Sequence, residues 1–366
     1  MLSLTADSVP DRMSTTDYLK DFCPELAKRL PRIELASLPT PVASRQVEYQ
    51  GRSLRFSIKF DNLTGSLYGG NKVRKLEYIF PRASGRHCRR IATFGAAGSN
   101  HALATSLYAT QAGFASTCFL SHQAATPHVA ATLNRHIENH TEIVRYGGSH
   151  ATRLATLREK LWNRQAFVIP MGGSSWLGTV GFVAAGLELA AQIAAREIDE
   201  PDRIYVGCGT MGTAVGIALG LALAELRTTV HAVRVSDVAI TNETALRRLL
   251  GKTALMLRHY DPSIPADLSA RSKIQLRDEF FGPGYAQGTP ATDEAIRFAG
   301  HQLQLELEQT YTGKAMAALL HDLAQPQTAE IECLYWYTLN SAPLDVPNDR
   351  PLDAAALPES FLRYFD

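Results

Sequence analysis

The sequence has no Cys-x-x-Cys pair and no cysteine–histidine cluster at zinc-ligand spacing, so nothing in it predicts a structural metal. Its five cysteines (Cys23, Cys88, Cys118, Cys208 and Cys333) are odd in number and widely scattered. That pattern excludes a disulfide framework and reads as the reduced thiols of a cytoplasmic protein. An excess of either charge is also lacking. The 37 basic and 36 acidic residues leave a net charge of +1, which provides no field for nucleic acid or a membrane surface. No apolar stretch reaches membrane-spanning length, and the longest, around 214–224, is too short. The first ten residues contain Asp7 and no basic region followed by an apolar run, so no secretory signal is expected. Internal repeats and low-complexity tracts are absent.

What is present is a chain of 366 residues, 45% hydrophobic and 20% charged. This suffices for two lobes around a cleft, with a core large enough to need no covalent staple. From residue 89 onward short β-type runs, glycine-rich turns and helical stretches alternate. Strands are expected at 90–94, 116–120, 142–146, 167–170, 203–206 and 230–235. Helices are expected at 101–112, 128–139, 151–164, 181–195 and 213–226. Such alternation with short connections predicts βαβ units and parallel sheets, an α/β fold. The expected division is an appended segment at 1–29, a larger lobe from 30–76 and 185–344, a smaller lobe at 77–184, and a proline-bearing tail at 345–366 folding over the surface.

Three turns carry the candidate chemistry. In Gly69-Gly70-Asn71-Lys72-Val73-Arg74-Lys75, two glycines allow a tight turn and leave room for a flat ligand. Lys72 then emerges just before a helix expected at 75–82. An isolated lysine is usually a solvated side chain, but three cations within four residues lower an amine's pKa and favour its nucleophilic form. In Gly95-Ala96-Ala97-Gly98-Ser99-Asn100, helix-start amides offer an anion site, and Ser99 alternatively serves as an ordinary N-cap. Gly207-Cys208-Gly209-Thr210-Met211-Gly212-Thr213 follows a strand and precedes an apolar helix. It fits GxGxxG, with Asp237 placed as a ribose-binding acid, and equally fits a loop around one phosphate. Pattern alone leaves a nicotinamide-dependent oxidoreductase and a monophosphate-bearing cofactor both open.

Taken in order over residues 30–340, these and further motifs resemble the fold-type II pyridoxal-phosphate enzymes, specifically the D-cysteine desulfhydrase and 1-aminocyclopropane-1-carboxylate (ACC) deaminase group. The most specific is Gly69-Gly70-Asn71-Lys72-Val73-Arg74-Lys75-Leu76-Glu77. It is joined by Leu38-Pro39-Thr40-Pro41, Gly98-Ser99-Asn100-His101, Gly172-Gly173-Ser174-Ser175-Trp176, Pro283-Gly284-Tyr285 and Tyr311-Thr312-Gly313-Lys314. The resemblance implies a two-lobed, three-layer, tryptophan-synthase-β-like fold, pyridoxal 5'-phosphate as cofactor, a small amino-acid substrate and a homodimer. It makes Lys72 the Schiff-base lysine and the base at the substrate carbon. Asn71, Lys75, Gly209, Thr210, Met211, Gly212 and Thr213 are implied to hold the cofactor, with the phosphate on Lys75 and the loop. Asn100 is implied at the ring hydroxyl, and Thr312, with Thr338, at the pyridine side. Ser99, Asn100, His101 and Ser174 are implied to bind substrate, and Tyr285 and Tyr311 to flank it as catalytic tyrosines.

ACC deaminases carry Glu and Leu where this chain has Thr312 and Thr338. A hydroxyl beside the pyridine nitrogen makes a milder electron sink than a carboxylate, enough to expel a good leaving group. The resemblance therefore implies β-elimination from a small D- or achiral amino acid, giving a 2-oxo acid and ammonia. An ACC deaminase and an inactive cofactor-binding relative are the alternatives. Three departures mark a divergent member. Gly98 replaces a glutamine, which removes a donor and enlarges the pocket. Leu339-Asn340 replaces two glycines, crowding the ring edge or moving the loop. Met211 replaces a glycine.

Overall fold

The computed structural model describes residues 16–162, 165–325, 331–340, 342, 344 and 351–365. Among the described residues ten strands form two sheets. They are β1 (Val42–Tyr49), β2 (Arg52–Phe60), β3 (Arg90–Ala96), β4 (Ala115–Ser121), β5 (Glu142–Arg145), β6 (Ala166–Val168), β7 (Arg203–Cys208), β8 (Thr229–Arg234), β9 (Ile274–Arg277) and β10 (Cys333–Tyr337). The four-stranded sheet runs β5-β4-β3-β6 and is parallel throughout. The six-stranded sheet runs β1-β2-β10-β7-β8-β9. It is parallel except for the β1–β2 hairpin. The expected α/β architecture is thus present, with an antiparallel edge strand added. β1 and β9 were not foreseen. β10 also escaped pattern reading, because all five of its residues are buried and show no alternation.

Two apolar helices, Trp176–Ala194 and Gly212–Leu223, lie against each other through glycines. A Cβ on Gly220 would fall 2.3 Å from Val183 O, and one on Gly186 would fall 2.8 Å from Ile217 O. The backbones can approach this closely only without side chains there. Helix Trp176–Ala194 starts five residues before the expected 181. By length and composition it could cross a membrane, contrary to the expectation that no segment could. It is instead mostly buried, packed also on the helix Val73–Ser84.

The end segments are less detached than expected. Two short helices, Tyr18–Phe22 and Pro24–Arg29, bury Leu19 and Leu26 completely in the core of the six-stranded lobe, the first packing on Trp176–Ala194 and the second on helix Glu243–Tyr260. At the other end Leu357, Phe361 and Tyr364 are buried against Ala97, Ala102, Val129 and Leu133 beside the four-stranded sheet.

Candidate active site

One cavity of about 990 Å³ is lined by all three turns, by Tyr285, Tyr311 and Thr312, and by residues 338–340. The first turn is shaped by Gly70, whose φ is +77° and whose Cβ would meet Thr338 O, Leu339 O and Asn340 N at 3.1 Å each. Only glycine fits both demands. Lys72 follows as the N-cap residue of helix Val73–Ser84. Its Nζ donates to Asn71 Oδ1 at 2.7 Å and lies 5.9 Å from the Tyr311 ring centroid. Asn71 Nδ2 in turn donates to Thr213 Oγ1 at 3.2 Å.

Burial lowers the Lys72 amine to about 8, against the opposing charges of Glu308 and Asp61. This corrects the expected cause. Arg74 points away from the cavity and is matched by Asp61 and Glu188, so its charge does not act on Lys72.

Lys75 lies one helical turn further on. Its Nζ donates to Gly172 O at 2.9 Å and Ser174 Oγ at 3.3 Å. It has no carboxylate partner among the described residues, and burial followed by the nearby Lys72 charge holds its pKa well below the ordinary lysine value. Gly212 begins its helix here, donating to Ser174 Oγ at 3.2 Å, and Thr210 Oγ1 is 2.7 Å from that same Ser174 oxygen. A buried amine without a carboxylate partner among the described residues, three hydroxyls and a helix N-terminus converge where a dianionic phosphate fits and would hold that amine charged. Ser174 therefore stands with the glycine loop, not at the substrate position implied for it. Met211 adopts φ +66°, left-handed backbone that glycine takes without strain.

The second turn splits its residues. Ser99 is the N-cap of helix Asn100–Gln111, its Oγ accepting from Ala102 N at 3.3 Å and keeping its hydrogen to donate. Asn100 Oδ1 accepts from Tyr68 at 2.9 Å, which leaves its amide hydrogens for the cavity. Tyr68 was not singled out in the sequence, although it directly precedes the Gly69–Lys75 motif. His101 lines the same cavity, with its ring nitrogens turned inward. It is buried, with Nε2 2.9 Å from Thr93 Oγ1 and Nδ1 3.4 Å from Thr105 Oγ1. Both ring nitrogens are committed within the protein, and burial first and then Lys72 hold it neutral. The enlarged pocket expected at Gly98 is also absent, because Gln123 fills the space.

The hydroxyls of Tyr285 and Tyr311 are 3.2 Å apart, and burial raises both pKa values. Thr312 is buried and donates from Oγ1 to Glu308 Oε1 at 3.0 Å. Glu308 also accepts from the backbone amides of Thr310, Tyr311 and Thr312. This carboxylate, one hydrogen bond behind Thr312, was missed because its role depends on the turn that brings it back. Thr338 contributes its carbonyl, facing Asn71 N at 3.4 Å. Leu339 packs on the core that includes Leu307 and Tyr337, and Asn340 donates to Ala342 O. Asp237, the candidate ribose acid, is exposed and accepts from Ala239 N in a local turn.

An α/β frame whose one cavity holds both a low-pKa lysine and a cradle for a phosphate defines an enzyme that anchors a phosphorylated aldehyde. The pyridoxal-phosphate dependent enzyme family model matches residues 33–332, and the chain belongs to that family. It uses pyridoxal 5'-phosphate, which removes the nicotinamide alternative. The D-cysteine desulfhydrase of Salmonella paratyphi A is 31% identical over 310 residues, covering 81% of this chain and 90% of its own length. The crystal structure of an ACC deaminase homologue is 27% identical with a TM-score of 0.70, covering 88% of this chain and 94% of that one. The structure of a fungal L-serine ammonia-lyase from Rhizomucor miehei, 15% identical with a TM-score of 0.55, covers 89% of this chain and 96% of that one and shares the fold.

Proposed function

We propose that the protein performs β-elimination and deamination of a small D- or achiral amino acid, as a D-cysteine desulfhydrase does, in the cytoplasm and as a homodimer. The observation that carries this reading is the pairing of Lys72, lowered to about 8, with Lys75, buried without a carboxylate, in one cavity. Bound pyridoxal phosphate supplies an aldehyde for Lys72 and a ring that takes up the electrons released at the substrate α-carbon. Lys75, Ser174, Thr210 and Thr213 would hold its phosphate, and the free amide hydrogens of Asn100 would serve its ring hydroxyl. Ser99 orients the substrate carboxylate. Lys72 removes the α-proton. The Tyr285–Tyr311 hydroxyl pair, 3.2 Å apart and with both phenols raised above the ordinary value, holds a proton for the departing group. With D-cysteine and one water the products are pyruvate, ammonia and sulfide.

Thr312 favours this reaction over opening of the ACC ring. Its hydroxyl hydrogen goes to Glu308, a carboxylate that also lines the cavity, so position 312 itself offers the pyridine side a polarised hydroxyl. The test is pyruvate and sulfide release from D-cysteine, beside D-serine, L-cysteine and ACC, by cofactor-loaded protein. Fast turnover of ACC would overturn the Thr312 argument, and failure to take up the cofactor would overturn the whole reading. Light scattering checks the dimer. Lys75→Ala is expected to weaken cofactor affinity by roughly 10- to 100-fold, the worth of a charged hydrogen bond. At saturating cofactor its visible band should persist, and equilibrium dialysis measures the shift.

A further inference from the structure

Gln123 stands on the loop after β4 and reaches across to the Gly98-Ser99-Asn100 turn. Gly98 N–H donates to its Oε1 at 3.0 Å. A Cβ on Gly98 would lie 3.2 Å from Gln123 Nε2 and 3.1 Å from Val129 Cγ2, so the carboxamide takes the room a side chain at 98 would need. A backbone N–H can only donate, which fixes the amide oxygen at Gly98 N and leaves the NH₂ group alongside Gly98 Cα. That group has no acceptor among the described residues, and Gln123 lines the cavity.

The C-terminal segment holds this residue in place. The Tyr364 hydroxyl accepts from Gln123 N at 2.9 Å and donates to Gln123 O at 3.1 Å, and His122 Nδ1 is 3.1 Å away. One hydroxyl, with one hydrogen and two lone pairs, satisfies all three contacts when His122 donates. The ring behind it is anchored: Tyr364 and Phe361 are buried, and the His122 ring lies 4.8 Å from that of Phe361. Tyr364 thus clamps both backbone groups of Gln123, 241 residues earlier in the chain.

We propose that the C-terminal segment completes the substrate site: the Gln123 amide donates to the carboxylate of the bound amino acid beside Ser99, and Tyr364 is the residue that positions it. This rests on the amino-acid reading above. The helix beginning at Asn100 directs its amides at the same place, the Ser99 hydroxyl hydrogen is uncommitted, and an added NH₂ group gives a set of donors with no acceptor, which selects an anion.

The test loads wild type, Gln123→Ala, Tyr364→Phe and the double variant with cofactor. D-Alanine, which carries a carboxylate and no leaving group, and ethylamine, which lacks the carboxylate, are titrated and read from the visible spectrum. Gln123→Ala should weaken D-alanine by roughly 10- to 100-fold and leave ethylamine little changed. Tyr364→Phe, which removes one oxygen from a packed ring, should weaken D-alanine less, and the double variant should match Gln123→Ala alone. For the turned-over substrate, KM should rise with kcat preserved. Unchanged D-alanine affinity in Gln123→Ala, equal weakening of both ligands, or multiplying effects in the double variant would each overturn the proposal. If wild type takes up no cofactor, the functional reading falls and this proposal with it. If wild type responds to D-alanine and Gln123→Ala responds identically, this proposal alone falls.

Discussion

Lys72→Ala is expected to abolish the visible band of the lysine-bound cofactor and to lower turnover by roughly 10³-fold or more, since one residue supplies both the covalent anchor and the base at the α-carbon. The fold should survive. Lys72 sits at a helix N-cap, and its amine makes a single protein hydrogen bond, to Asn71. Burial of that amine already opposes its charge, so removing it costs the apoprotein little. Circular dichroism and the visible spectrum check the two halves, and a persistent band in the variant would show that another lysine anchors the cofactor. The same amine predicts a pH dependence in the wild type. Capture of the aldehyde needs the neutral amine, and with a pKa of about 8 its population rises as pH rises through 8 and then levels. An ordinary lysine would still be gaining population near pH 10. Stopped-flow uptake of cofactor by apoprotein between pH 6 and 10 distinguishes the two cases.

The motif around Lys72 was legible because it combines two kinds of residue. Asn71, Lys72 and Lys75 face the cavity. Arg74 and Glu77 instead build the scaffold: Arg74 joins Asp61 and Glu188, and Glu77 takes two bonds from Arg32 and one each from the amides of Leu35 and Ala36. Both demands constrain one short segment, so it resembles its family strongly. The glycine loop was legible for its own reason, since an anion needs unobstructed amides. What could not be read were contacts between distant segments. Tyr68 on Asn100, Ser174 on Thr210, Glu308 behind Thr312 and Tyr364 on Gln123 are each side-chain meetings set by the tertiary fold. His101 shows the converse. Its place in Gly98-Ser99-Asn100-His101 suggested substrate contact; it does line the cavity, but the tertiary fold gives its ring nitrogens to Thr93 and Thr105.

Glu188→Ala should destabilise the protein by about 3–5 kcal/mol, the cost of leaving a buried charge without its partner. Glu188 is fully buried on the helix Trp176–Ala194 and accepts from Arg74 at 2.9 and 3.0 Å, Lys59 at 2.5 Å, and the amide and hydroxyl of Thr40 at 3.0 and 3.1 Å. With Asp61 it balances two buried cations, and without it one positive charge is unmatched in the core. Burial works to raise the Glu188 pKa, but Arg74 and Lys59 prevail and hold it at about 2. Its folded value is thus depressed below the ordinary 4.5. Its contribution is present at neutral pH and is lost as pH falls from the ordinary carboxylate range through about 2. Urea denaturation at pH 7 should show a lower midpoint in Glu188→Ala with an unchanged slope. Near pH 2 the gap to wild type should narrow, and a gap that stayed constant would show that packing, not charge, was lost. The effect reaches the active site through Arg74, two residues from Lys72 on the same turn. Glu188→Gln keeps the shape and removes the charge. It should hold an intermediate stability, and its cofactor affinity should fall between wild type and Glu188→Ala if the buried ion cluster is what sets the position of the Lys72 helix.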